Sequence, residues 1–274
     1  MSTPALASSR QLSYSTRARL ASQPRIPIGH ALVDTCSFAE ACNAVMDRLI
    51  NGGPPAYVLT PNAQHIVLLE DDSQLREVYS QADLVVPDGA SLLAAARLLG
   101  QRFPERVAGV DLFQSLCELA AVNGLRVFLL GGRPGSADLA AANLARRFPG
   151  LSVNTYCPPL GFESDAAEKQ GIFNALTDVR PDLLFVALGA PKQEFWIHQN
   201  TFSLGIPVSL GVGGSFEMVA GITPRAPVWL RKVGGEWLHR LFLEPRRMWR
   251  RYSAGNLHFA RIVLKQWLRE ARVI

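Results

Sequence analysis

From Ile26 onward the chain alternates short apolar runs with stretches whose apolar residues recur every three or four positions. Short uninterrupted apolar runs suit strands buried on both faces, and the 3.6-residue period suits helices packed over them. The runs at Ala56–Thr60, Leu84–Pro87, Arg126–Leu130, Asp182–Leu188 and Pro207–Gly211 are therefore expected as strands of one parallel sheet. Each is followed by a polar or glycine-rich junction and then a helical pattern, an order that predicts a Rossmann-like α/β fold with helices on both faces. In open sheets of this kind ligands bind beyond the carboxyl ends of the strands, so five junctions are expected to converge on one edge.

The pattern changes near residue 225. Leu230, Val233, Trp237, Leu241 and Phe242 are spaced three or four apart among arginines, which predicts amphipathic helices, with Pro245 ending one and another starting near Arg246. Residues 225–274 hold 12 Lys/Arg against 3 Asp/Glu, leaving 16 against 20 for residues 1–224, so the net charge of +5 comes entirely from the tail. Trp229, Trp237, Trp249 and Trp267 lie there too. Three parts are expected: residues 1–25 as a disordered leader, 26–224 as an α/β catalytic domain, and 225–274 as a basic helical appendage able to dock on an anionic membrane surface. The leader is rich in Ser, Ala and Arg without acidic residues, which also mimics an organellar transit peptide.

No run approaches the length of a membrane span and no secretory signal opens the chain, so a cytoplasmic protein is expected, peripheral on the inner face of the plasma membrane. Cys36, Cys42, Cys117 and Cys157 form no C-x-x-C pair, and His30, His65, His198, His239 and His258 show no ligand spacing, so reduced thiols, packing histidines and no metal site are expected. Glu70-Asp71-Asp72 reads as a solvated turn, and D-x-D is missing.

The junctions carry the candidate chemistry. Gly131, Gly132 and Gly135 before Ser136 allow close backbone approach and offer helix N–H groups to a phosphate, although glycine also ends strands for geometric reasons. Neither this segment nor Gly211-Val212-Gly213-Gly214-Ser215 matches G-x-G-x-x-G, and no P-loop is present. Asp88 follows Val86-Pro87 and precedes Gly89, a position suited either to a carboxylate at the crevice or to a cap of the next helix. Asn62 and Gln193 at other junctions suit sugar hydroxyls. Arg106 suits an anion or an ion pair with Asp111.

In their order, Leu59-Thr60-Pro61-Asn62-Ala63, Val86-Pro87-Asp88-Gly89, Glu105-Arg106-Val107-Ala108-Gly109-Val110-Asp111, Ala190-Pro191-Lys192-Gln193-Glu194, Gly211-Val212-Gly213-Gly214-Ser215-Phe216, Arg225-Ala226-Pro227 and Glu236-Trp237-Leu238-His239-Arg240-Leu241 resemble the bacterial WecG/TagA/CpsF glycosyltransferases, glycosyltransferase family 26, from about Ile28 to Arg251. The resemblance implies inverting, metal-independent transfer of N-acetylmannosamine, its uronic acid or glucose from a UDP donor to an undecaprenyl-diphosphate-linked sugar in cell-surface polysaccharide synthesis. No cofactor is implied beyond the UDP-sugar itself. Asp88 then matches the base, Thr60 and Asn62 match active-site positions beside it, and Arg106 and Gln193 match further substrate contacts. Gly213 and Gly214 match the nucleotide edge, and Arg240, Arg247 and Arg250 match appendage arginines. Glu217 stands where the family more often has Asp, a change that bears on the donor, and Gly234-Gly235-Glu236-Trp237 replaces Gly-Leu-Glu-Trp.

Two other classes are weighed against this one. The basic aromatic tail also fits a nucleic-acid-binding protein, but no nucleic-acid motif accompanies it. An NAD-dependent oxidoreductase lacks its fingerprint here. A homo-oligomer is compatible with the sequence.

Overall fold

The computed structural model describes residues 19–20, 23–232, 235–243 and 245–272, with the side chains at 232, 237, 240, 243 and 245–254 outside that description. Its centre is a six-stranded parallel sheet in the order β4-β3-β8-β7-β5-β6. The strands are β3 (Ala56–Leu59), β4 (Leu84–Val85), β5 (Arg126–Gly131), β6 (Ser152–Tyr156), β7 (Leu183–Ala187) and β8 (Val208–Gly211). The five expected runs all lie in it. The sixth strand, β6, pairs with β5 at the edge, and its Ser-Val-Asn-Thr-Tyr sequence is partly exposed throughout. An edge strand needs no continuous apolar run.

Strand alternation divides the core. Val127 and Leu129 of β5 belong with Phe113, Leu116, Phe185 and Phe216 on one face of the sheet. Phe128 and Leu130 join Ile66, Leu75, Leu184 and Ile197 on the other. Neighbouring residues thus point to opposite layers, each fully covered by helices. The first layer is built by α1 (Phe38–Asn51), α5 (Gly109–Val122), α6 (Ser136–Arg147) and α9 (Ser215–Val219). The second uses α2 (Ala63–Asp71), α3 (Ser73–Ser80), α4 (Ala90–Leu98), α7 (Ala166–Val179) and α8 (Lys192–Asn200). Local signals set the helix starts: Ser37 and Glu40 close a capping box on α1, and Asp72 accepts from Leu75 N at 2.9 Å to start α3. Asp72, from the acidic cluster, therefore serves as a cap.

A two-stranded antiparallel hairpin, β1 (Arg25–Ile28) and β2 (Ala31–Asp34), precedes the sheet. It is held to the sheet by the buried carboxylate of Asp34, whose Oδ2 accepts from Val85 N at 2.8 Å while Oδ1 accepts from Arg19 and Arg25.

The described residues of the C-terminal segment form α10 (Val228–Lys232), α11 (Glu236–Leu243) and α12 (Pro245–Glu270). α12 returns to the body and lies on α2, burying Phe259, Ile262 and Val263. Burying each such side chain contributes about 1.5–3 kcal/mol. Gln266 adds polar anchoring: its Oε1 accepts from Gly29 N and its Nε2 donates to Pro27 O, both at 2.9 Å. Leu257, Leu264, Trp267 and Leu268 remain exposed on the same helix. No helix among the described residues is long and apolar enough to cross a membrane.

Candidate active site

The chain leaves β5 toward β6 and leaves β7 toward β8, in opposite directions along the sheet. Such a reversal opens a crevice between β5 and β7, at the carboxyl edge of the sheet. The junctions after β3, β4, β5, β7 and β8 all reach this edge.

Three of them are tied together by short hydrogen bonds. Thr60 Oγ1 donates to Gly211 O at 2.9 Å, linking the ends of β3 and β8. Asp88 N donates to Pro61 O at 3.1 Å, linking the junctions after β4 and β3. The Asp88 carboxylate faces a second helix as well as its own. α4 begins at Gly89, which has no side chain to cap it. Asp88 Oδ1 accepts from the N–H of Gly109, the first residue of α5, at 3.1 Å. This contact orients the carboxylate of a residue that stays half-exposed at the carboxyl edge of the sheet.

Asn62 caps α2, its Oδ1 accepting from Gln64 N at 3.0 Å. Its backbone N–H donates to His65 Nδ1 at 3.2 Å, which leaves the His65 proton on Nε2, 3.3 Å from Glu194 Oε1. Gln193 is 3% exposed in the first turn of α8. Its Oε1 accepts from Gly213 N at 3.1 Å and its Nε2 donates to Glu194 Oε1 at 2.8 Å. Gly211 must be glycine for this packing, because a Cβ there would stand 2.9 Å from Gln193 Nε2.

At the end of β5, Gly131 and Gly132 take φ of +97° and +85°. The turn aims Arg133 N at Glu217 Oε1, 3.0 Å away. Glu217 Oε2 and Ser136 Oγ are buried with no hydrogen-bond partner among the described residues, beside Gly214 and Gly132 respectively. Gly213 and Gly214 turn out of β8 toward this group. The loops after β5 and β8 thus share one carboxylate.

Arg106 does not pair with Asp111. Its Nη1 donates to Glu236 Oε2 of α11 at 2.9 Å. Asp111 is held by both Nη groups of Arg225 at 2.5 and 2.6 Å, and Arg225 Nε also reaches Glu236 at 3.4 Å. Burial raises the Asp111 pKa, but Arg225 outweighs it and holds the group below its ordinary value. Two acids and two arginines therefore join the α5 region to the C-terminal helices. Arg240 lies on α11 one turn beyond Glu236, while Arg247 and Arg250 lie on α12; all three side chains are outside the described residues.

Pairing in sequence hid this network, since Arg225 and Glu236 lie 114 and 130 residues from their partners. His65 and Glu194 were equally hidden: His65 reads as packing, and its link to Glu194 exists only in the fold.

Cys36 and Cys42 are buried, which pushes their thiols up to about 12 and about 11, and Cys117 is pushed up further. Such thiols stay protonated and unreactive at neutral pH. Among the described residues no group of three or more His, Cys, Asp or Glu could hold a metal ion.

The model of the Glycosyl transferase WecG/TagA/CpsF family matches residues 26–273. An N-acetylglucosaminyldiphosphoundecaprenol N-acetyl-beta-D-mannosaminyltransferase of Bacillus spizizenii is 34% identical over 196 residues, 72% of this chain and 74% of the relative. Enzymes of the same name from Bacillus subtilis and Staphylococcus aureus are 31% and 30% identical, over 77% and 79% of this chain and 80% and 83% of their own lengths. With the strand-end cluster around Asp88 lying inside the matched region, the chain belongs to the WecG/TagA/CpsF family of glycosyltransferases.

Proposed function

We propose that this glycosyltransferase moves N-acetylmannosamine from a UDP donor to N-acetylglucosamine linked through diphosphate to undecaprenol, with inversion and without a metal. The names of the relatives support the sugar and the acceptor. The observation that supports the mechanism is the setting of Asp88, held by Gly109 N–H at the carboxyl edge of the sheet beside the junction that carries Thr60 and Asn62.

In this reading Asp88 accepts the proton of the acceptor hydroxyl as that oxygen attacks the anomeric carbon opposite the departing UDP. Thr60 and Asn62 frame the acceptor side. Asn62 Oδ1 is engaged in the cap, so its amide N–H groups are the end offered to a sugar hydroxyl. Gly131, Gly132, Gly213, Gly214 and Glu217 frame the donor, where the unpartnered Glu217 Oε2 is suited to accept from a donor hydroxyl. Gln193 and Arg106 act by bracing, the first on the Gly213 loop and the second on α11. Charge developing on the diphosphate needs preorganised cations, and Arg240, Arg247 and Arg250 are the tail residues assigned to it. The exposed basic and apolar side of α12 would hold the enzyme on the anionic inner face of the membrane, where a lipid-linked acceptor resides.

The test uses a short-chain lipid diphosphate N-acetylglucosamine with a panel of UDP-sugars, with and without EDTA, and product mass as readout. Transfer from UDP-N-acetylmannosamine that survives EDTA is expected. General-base help is worth about 10²–10⁴ in rate, so Asp88→Asn should lower kcat by that order with UDP affinity retained. An Asp88→Asn variant of unchanged kcat would overturn the assignment.

A further inference from the structure

Behind the carboxyl edge of the sheet a polar chain runs through Glu194, a residue to which the reading above gives no role. It runs from Asn62 N–H to His65 Nδ1, from His65 Nε2 to Glu194 Oε1, from Gln193 Nε2 to the same oxygen, and from Gly213 N–H to Gln193 Oε1. The separations are 3.2, 3.3, 2.8 and 3.1 Å in that order. One carboxylate oxygen thus joins the junction after β3 to the junction after β8.

Glu194 is 1% exposed, and its second oxygen is buried without a partner among the described residues. Burying a carboxylate is expensive unless its hydrogen bonds and neighbours compensate. The Tyr79 hydroxyl lies near this carboxylate and is pushed well above the ordinary tyrosine range, by burial first and then by Glu194. Stability alone would be served as well by an apolar residue of similar size.

A carboxylate does one thing here that an apolar residue cannot. The amide of Gln193 has two similar ends, and turning it over would set its oxygen against Glu194 Oε1 and its NH2 against Gly213 N–H. Two acceptors and two donors would then face each other. The same acceptor selects the His65 tautomer, because only a proton on Nε2 satisfies Glu194 while leaving Nδ1 to receive the Asn62 N–H.

We infer that Glu194 is a positioning residue: through its shared oxygen it fixes the Gln193 amide and the His65 tautomer, and so holds Asn62 and the Gly213 loop in register across the sugar-transfer crevice. This rests on the reading above that Asn62 and Gln193 belong to the site.

The experiment is a double-mutant cycle on the full chain, reading kcat and KM for donor and acceptor together with the thermal midpoint. Glu194→Ala should lower kcat/KM about 10–100-fold, more than its loss of thermal stability explains at an assay temperature well below the midpoint. Glu194→Gln, which retains an acceptor oxygen, should recover most of that loss. Combined with Gln193→Ala, Glu194→Ala should add little, because residues acting through one another are not additive. Full additivity, or a Glu194→Ala variant of unchanged kcat/KM, overturns the inference. Should Glu194→Ala fail to fold, His65→Asn carries the same test: its amide oxygen still reaches the Asn62 N–H but not Glu194. It should lower kcat/KM several-fold and be non-additive with Asn62→Ala; additivity there overturns the inference equally. If Gln193→Ala and Asn62→Ala each leave kcat/KM unchanged, the site reading falls and this inference with it. If they lower it and the cycles are additive, only the inference falls.

Discussion

Arg106 and Glu236, 130 residues apart, meet at 2.9 Å where the α/β body joins the C-terminal helices. Arg225 reaches the other oxygen of Glu236 and grips Asp111, so removing Glu236 deprives two part-buried guanidinium groups at once. Leaving a buried donor unsatisfied costs about 1–3 kcal/mol. Glu236→Ala should lower unfolding free energy by that amount in denaturant titration, and a change below about 0.5 kcal/mol, the range of neutral surface substitutions, would show that the network is not a clamp.

Gly211→Ala should damage the site while sparing the fold. The added methyl would sit 2.9 Å from Gln193 Nε2, and the amide, held between Gly213 and Glu194, has to turn or shift to admit it. We expect kcat/KM to drop at least tenfold with a thermal midpoint within a few degrees of the parent. Full activity would mean that the Gln193 amide has no set position.

Acid should weaken the fold in two separate steps. Burial pulls the His198 pKa below its ordinary value, against the opposing pull of Glu77. A histidine depressed in the folded state contributes full stability above its unfolded value of about 6.5, and that contribution is lost as pH falls through the depressed value. Asp111, held down by Arg225 despite burial, keeps its contribution above about 3.8, the ordinary aspartate value, and loses it at still lower pH. The thermal midpoint should decline below pH 6.5, and the decline should be shallower in His198→Asn; identical profiles would remove His198 as the cause.

Membrane docking is better tested by charge than by truncation. Cutting at residue 225 would strip Arg225 from Asp111, Glu236 from Arg106, and Phe259, Ile262 and Val263 from α2, so lost activity would report broken packing. Arg261, Lys265 and Arg269 are exposed on α12 near Leu257, Leu264 and Leu268. At roughly 1 kcal/mol per basic residue near an anionic surface, changing all three to serine should weaken binding to phosphatidylglycerol vesicles on the order of 10²-fold. Unchanged co-sedimentation would place the contact elsewhere.

The central strands were legible because both faces are covered: Leu183–Ala187 and Arg126–Gly131 read as apolar runs wherever they are placed. β6 was not, since its partly exposed edge tolerates Asn154 and Thr155. The β1–β2 hairpin, with Gly29 at φ +57°, is too short to stand out by period. In the site, Thr60, Asn62 and Asp88 were legible because strand ends set their positions. The orientation of the Asp88 carboxylate depends on α5, and the partners of Arg106 and Gln193 depend on which helices meet in three dimensions. Sequence adjacency offered Arg106 either an anion or Asp111, whereas the fold supplied Glu236.

The bond from Gly29 N–H to Gln266 spans 237 residues, and Ile262 lies against the same turn. During translation the N-terminal hairpin therefore emerges long before the helix that completes it. Chains generally fold from the N-terminus as they are made, but here one wall of the core cannot close until Phe259, Ile262, Val263 and Gln266 have been synthesised. Until then the apolar face of α2 lacks its cover, which makes the unfinished chain a natural client for chaperones and makes late truncations more harmful than their distance from Asp88 suggests.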